Sequence, residues 1–172
     1  MGERNWLDDD QQKAWRAYLA MVRELDGHLR QHLQRESGMS VPEFELLARL
    51  SEAPGHRLPV AALAATTGWE PSRLSHQLSR TGGRGLIDRV PSATARYPDV
   101  VLTEEGLAAI ATAAPQHAAT VHALFVEPLG PAGLDGLTAI ARTILDNLED
   151  HHGATCSLRE HGGALDGDVS PP

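Results

Sequence analysis

Five arginines (Arg73, Arg80, Arg84, Arg89 and Arg96) stand between Gly68 and Pro98 against two acids, Glu70 and Asp88, a local charge of +3 in a chain whose total is −8. The rest of the sequence therefore carries −11. The basic stretch opens with Ser72, Arg73, Ser75, His76, Gln77, Ser79 and Arg80. These side chains offer hydroxyl, imidazole, amide and guanidinium groups, the types that meet phosphate oxygens and base edges. A basic island on an acidic body draws a polyanion to one face and keeps it off the others. A solvated helix with scattered arginines has the same periodicity, so the neighbouring elements have to decide.

Those elements are legible in the pattern. Pro71 suits the first turn of a helix, where its fixed φ is already helical and its missing N–H costs nothing. Leu74 and Leu78 then share one face, which turns the polar and cationic residues outward. Ahead of them, Val60-Ala61-Ala62-Leu63-Ala64-Ala65 reads as a small helix ending near Gly68, and the two together have the spacing of a helix-turn-helix. After Arg80, three glycines within Gly82-Gly83-Arg84-Gly85 predict that the helix breaks. Leu86–Val90 and Asp99–Thr103 are the strand candidates, and the proline-bounded stretch between them, Pro91 to Pro98, makes a hairpin loop. A hairpin directly behind a helix-turn-helix is a wing.

The flanks are helical. Asp8, Asp9 and Asp10 precede a long amphipathic run (Trp15, Tyr18, Leu19, Val22, Leu25, Leu29, Leu33) that stops at Gly38. Ser40, with Glu43 as its capping-box partner, starts a shorter helix through Phe44, Leu46, Leu47 and Leu50. Thr103 caps a helix from Glu104 through Leu124 that contains Pro115, and Pro128-Leu129-Gly130-Pro131 separates it from a last helix through Leu148. From His151 the sequence has no apolar period and reads as a disordered tail. The single cysteine, Cys156, excludes an internal disulfide and fits a reducing compartment. Without a signal-peptide core or a membrane-length apolar run, the expected location is the cytoplasm.

Three motifs carry a family resemblance. Gly68-Trp69-Glu70-Pro71-Ser72-Arg73-Leu74-Ser75-His76-Gln77-Leu78, Arg84-Gly85-Leu86-Ile87 and Leu102-Thr103-Glu104-Glu105-Gly106 together resemble the MarR family (multiple antibiotic resistance regulators) of an actinobacterial type, over roughly residues 8 to 150. The resemblance implies a mainly α fold with a small β-hairpin wing. It divides the chain into an N-terminal dimerisation helix (1–37), a winged helix-turn-helix lobe (38–104), C-terminal dimerisation helices (105–150) and a tail (151–172). It further implies a homodimer that binds double-stranded DNA at a pseudo-palindromic operator, as a ligand-responsive repressor. Ser72, Arg73, Ser75, His76, Gln77 and Arg80 map to the recognition helix, Arg96 maps to the wing arginine, and Arg84 completes the candidate DNA contacts. Thr94 stands where family wings commonly carry an aspartate.

Other chemistry is poorly represented. The chain has no GxSxG, Walker A, GxGxxG or HExxH run, so no enzymatic activity is expected. His28 and His32 fall short of the three or four ligands a zinc site needs, and no metal or cofactor is expected. Trp15, Tyr18, Leu19, Val22 and Phe44 are candidates for a pocket taking a small phenolic or lipophilic effector, and equally for core and dimer packing. A second reading, a winged-helix module that has lost DNA binding and serves ligand or protein recognition, rests on Thr94, the glycine run and the acidic body.

Overall fold

The computed structural model describes residues 6–92 and 98–160. Its elements run α1 (Asp9–Ser37), α2 (Val41–Glu52), a 3₁₀ turn (Pro54–His56), β1 (Arg57–Pro59), α3 (Val60–Thr67), α4 (Pro71–Gly83), β2 (Ile87–Val90), β3 (Asp99–Leu102), α5 (Glu104–Val121), a π-helical turn (His122–Val126) and α6 (Glu127–Glu160). Contacts divide the chain into two compact units, residues 1–124 and 125–172.

Helix boundaries follow from capping chemistry. Asp8 accepts the Gln11 N–H at 2.8 Å while the Gln11 side chain accepts the Asp8 N–H at 3.0 Å, a reciprocal capping box ahead of Asp9 and Asp10 in the first turn. Gly38, at φ 64°, closes α1 in the left-handed conformation that glycine adopts without penalty. Ser40 caps α2 as expected, accepting the Glu43 N–H, and Thr103 caps α5 by accepting the Gly106 N–H at 2.9 Å. Pro115 lies inside α5 without dividing it. Gly130, with φ 60° and ψ 179°, makes the expected break beside Pro131. The last helix then continues to Glu160, past the His151 boundary read from the apolar period.

One core holds the first unit together. Leu46, Leu47 and Leu50 of α2, Leu63 of α3, Leu74 and Leu78 of α4, Val100 and Leu102 of β3, and Ile110 and Ala113 of α5 are buried, with Leu33 closing it from α1. The sheet order is β1-β3-β2, antiparallel throughout, with Ile87 opposite Leu102 and Leu58 opposite Val100. The strand β1 was not expected: three residues ending in proline are too short to alternate. Proline is tolerated there because β1 lies at the sheet edge, where an N–H can go unused.

The predicted break at the glycine run is corrected. Helix α4 continues through Gly82 and Gly83, because Thr81 is fully buried and its hydroxyl accepts from the Gln77 amide at 3.0 Å, which fastens the last turn to the core. The chain reverses at Gly85 instead, at φ 72°. Tertiary packing here overrides the low helix propensity of glycine.

Candidate nucleic-acid interface

The outward face of α4 carries Ser72, Arg73, Ser75, His76, Ser79 and Arg80, all exposed, while Leu74, Gln77, Leu78 and Thr81 are buried. Ser79 turns its hydroxyl back to the Ser75 carbonyl at 3.0 Å. Arg73 and Arg80 make no ion pair or side-chain hydrogen bond among the described residues, so their donors face solvent. Arg89 adds an exposed cation on β2. The guanidinium of Arg73 lies over the ring of Trp69, with Cζ 4.9 Å from the ring centroid.

Two expected contacts are engaged within the protein. Gln77 is only 7% exposed and donates to Thr81, because at three residues from Leu74 and one from Leu78 it falls within the buried arc of the helix. Arg84 donates to the Gly38 carbonyl at 3.2 Å and pairs with the buried carboxylate of Glu43, tying the end of α4 to the start of α2. Glu43 therefore spends its side chain on Arg84 rather than on the expected reciprocal cap of Ser40. Arg96 and Thr94 lie outside the described residues.

The base of the wing is clamped by an arginine that the pattern did not single out. Arg57 on β1 donates through Nε to Asp99 Oδ2 and through an Nη to the Pro91 carbonyl, each at 2.7 Å, and so bridges both ends of the wing hairpin. Asp99 is largely buried. The opposition of Pro59 and Asp99 in the register is what brings the pair together, and a sequence without the β1 strand offers no sign of it.

Chemistry-bearing residues away from α4 are dispersed. Trp15, Tyr18, Leu19 and Val22 lie on an exposed face of α1, Trp15 being 53% accessible, and Trp15 stacks on Tyr18 at 5.5 Å. Phe44 is not with them. It packs against His117 of α5, ring centroids 4.5 Å apart, beside a cavity of about 380 Å³ lined by Leu33, Val41, Ala48 and Arg49. His28 donates from Nδ1 to the Glu24 carbonyl at 2.8 Å, and both ring nitrogens of His32 lie 3.1 Å from the Thr120 hydroxyl oxygen. No group of three or more potential ligands is placed to hold a metal among the described residues. Among the same residues no helix is long and apolar enough to cross a membrane.

His117 supplies a pH dependence. Burial, and secondarily the charge of His32, lower its pKa below the ordinary value. The unfolded chain thus takes up the proton first as pH falls. The stability contribution is complete above about pH 6.5 and is lost as pH falls through the folded-state value. Melting curves from pH 7.5 to 5.5 should show a steeper loss of Tm for the native chain than for His117→Gln; parallel curves would contradict the assignment.

Solved structures place the arrangement among known proteins. AbsC, a MarR family transcriptional regulator from Streptomyces coelicolor, superposes with a TM-score of 0.79 at 35% identity, over 85% of this chain and 99% of that one. The chain belongs to the MarR family. A second MarR family regulator from the same organism, Sco3205, solved in complex with DNA, matches with a TM-score of 0.79 at 32% identity, over 86% of this chain and 93% of its own. A mutant MarR from E. coli, complexed with operator DNA, shares the fold with a TM-score of 0.68 at 18% identity, over 76% of this chain and 91% of that one. No protein-family model matches the chain, and no curated protein matches it.

In this MarR family chain the second and third sequence motifs meet. The Leu86 carbonyl accepts the Thr103 N–H at 3.2 Å, and the Thr103 hydroxyl donates to the Gly85 carbonyl at 2.7 Å. Gly106 sits against the same Leu86 carbonyl so closely that a Cβ there would lie 1.9 Å from the oxygen. The motif's glycine is a requirement of backbone approach, which fixes the start of α5 against the turn that follows α4.

Proposed function

We propose that this MarR family regulator binds double-stranded DNA in a sequence-specific way as a homodimer, each copy laying α4 in a major groove. The observation that carries the reading is the outward face of α4, where Arg73, Arg80, Ser72, Ser75 and His76 are exposed and the two arginines are without a protein partner among the described residues. Free guanidinium and hydroxyl groups on a helix whose opposite face is anchored by Leu74 and Leu78 suit contacts to base edges and phosphates. The DNA complex of Sco3205 supports the same use of the fold. Electrophoretic mobility shift with the DNA upstream of the protein's own reading frame tests it, and no shift at low salt, where phosphate contacts are strongest, would refute it.

The homodimer belongs to the same proposal. Trp15, Tyr18, Leu19 and Val22 on α1, and Ile140, Ile144, Leu145 and Leu148 on α6, are large apolar side chains roughly half exposed in the single chain. A second copy is the occupant the family supplies for such faces. Two-fold symmetry would then set the recognition helices about 34 to 36 Å apart, to meet a pseudo-palindromic operator. Sedimentation at micromolar concentration should give a dimer, and Leu19→Asp with Ile144→Asp should give monomer; a native chain that sediments as a monomer would count against the assembly.

Repression and relief by a small phenolic or lipophilic effector complete the reading. The cavity beside Phe44 and His117 is of a size that takes a small aromatic molecule, with Arg49, Glu45 and Glu52 as charged groups at its wall. Trp15, Tyr18, Leu19 and Val22 are better assigned to the dimer face than to this cavity.

A further inference from the structure

Trp69 stands at the turn of the helix-turn-helix, yet it is only 8% exposed. Its backbone is held from the preceding side: its N–H donates to the Thr67 hydroxyl at 3.3 Å, and Gly68 before it, at φ 64°, closes α3. The indole is therefore a rigid platform, and the Arg73 guanidinium rests on its face, one turn into α4. Arg73 has no other partner among the described residues, so the indole is its one protein neighbour there and its N–H groups remain free. Arg80, on the same outward face, has no such platform among the described residues.

We propose that Trp69 is a positioning residue that determines base specificity by holding the Arg73 guanidinium flat for edge-on, bidentate contact with a base. The inference rests on the DNA-binding reading given above. A phosphate is satisfied by a positive charge in almost any orientation, whereas the paired acceptors of a guanine edge require the fork in one plane. Ordering Arg73 before contact also removes part of the rotamer cost of docking it. Removing the platform therefore weakens the cognate complex and leaves non-specific binding almost unchanged.

Fluorescence anisotropy with the full chain, on a cognate and a scrambled duplex at one salt concentration, separates these cases. Trp69→Leu should lose about three- to tenfold on the cognate duplex and less than about twofold on the scrambled one. Trp69→Phe, which keeps an aromatic face, should retain most of the cognate affinity. In an Arg73→Ala background, Trp69→Leu should cost nothing further, since the two residues act as one unit. Arg73→Lys, with the charge kept and the plane lost, should resemble Arg73→Ala on the cognate duplex and the native chain on the scrambled one. That variant and Trp69→Phe keep the test decisive if Trp69→Leu melts early. Equal losses on both duplexes, or an undiminished Trp69→Leu loss without Arg73, would make Trp69 a core residue only and overturn the inference. A native chain that binds neither duplex at low salt would instead defeat the DNA-binding reading. The stacking is then still read without DNA, as a change in Trp69 emission on Arg73→Ala that vanishes in Trp69→Phe; no change would overturn the platform itself.

Discussion

Gly106→Ala should destabilise the fold by about 3 kcal/mol or more, the largest effect expected of a methyl group added at any of the described glycines. The added Cβ would stand 1.9 Å from the Leu86 carbonyl oxygen and 2.9 Å from its carbon, both backbone atoms that cannot rotate aside. Relief requires α5 to move off the turn behind α4, and that movement also stretches the Thr103–Leu86 hydrogen bond. Thermal unfolding should register a drop of roughly 6 to 12 °C for a chain of this size. Gly82→Ala makes the comparison sharp. Its Cβ would find the Ile87 carbonyl at 3.7 Å, an ordinary contact, inside a continuous helix, so alanine there should add up to about 1 kcal/mol of stability. Similar losses in the two variants would mean that the close approach at Gly106 is not what holds the junction.

Arg73→Ala should cost about 1–3 kcal/mol on the cognate duplex and relax discrimination between sites, because a side chain aimed at base edges carries sequence information. Arg96→Ala should behave differently. As the proposed wing arginine it acts through charge and minor-groove shape, so its loss should weaken cognate and scrambled duplexes alike and lower the salt slope by about one unit. Titrations of both variants across salt concentrations separate the two. A uniform loss for Arg73→Ala would place it on phosphate and remove it from base readout.

The elements around α4 were legible because each has a local chemical cause. The Asp8 and Thr103 caps, the Gly68 stop, Pro71 in the first turn and the break at Gly130 all act within a few residues of themselves. The misplacements share the opposite property. Arg84 reads as a free cation because its partner, Glu43, is 41 residues away. The Gly82-Gly83 run reads as a break because nothing nearby announces that Thr81 is a core residue. Gln77 reads as a DNA contact because its amide suits adenine; it flanks the Leu74–Leu78 stripe on the side where Thr81 is also buried, and the burial of Thr81 is what draws it inside. The clamp of Arg57 on Asp99 depends on a strand too short to leave a pattern. The cluster expected of Trp15, Tyr18, Leu19, Val22 and Phe44 separates because four of them face outward on α1 while Phe44 faces α5.

Selection of duplexes from a random-sequence library by the full-length chain, at low and then at physiological salt, tests the central claim most directly. A homodimer reading base edges through α4 should enrich one pseudo-palindrome whose half-sites are about 10–10.5 base pairs apart, centre to centre, and the enrichment should weaken with Arg73→Ala. A pool that stays random while the chain remains folded and dimeric would contradict it, and would leave this member of the family as a winged-helix module that has given up DNA.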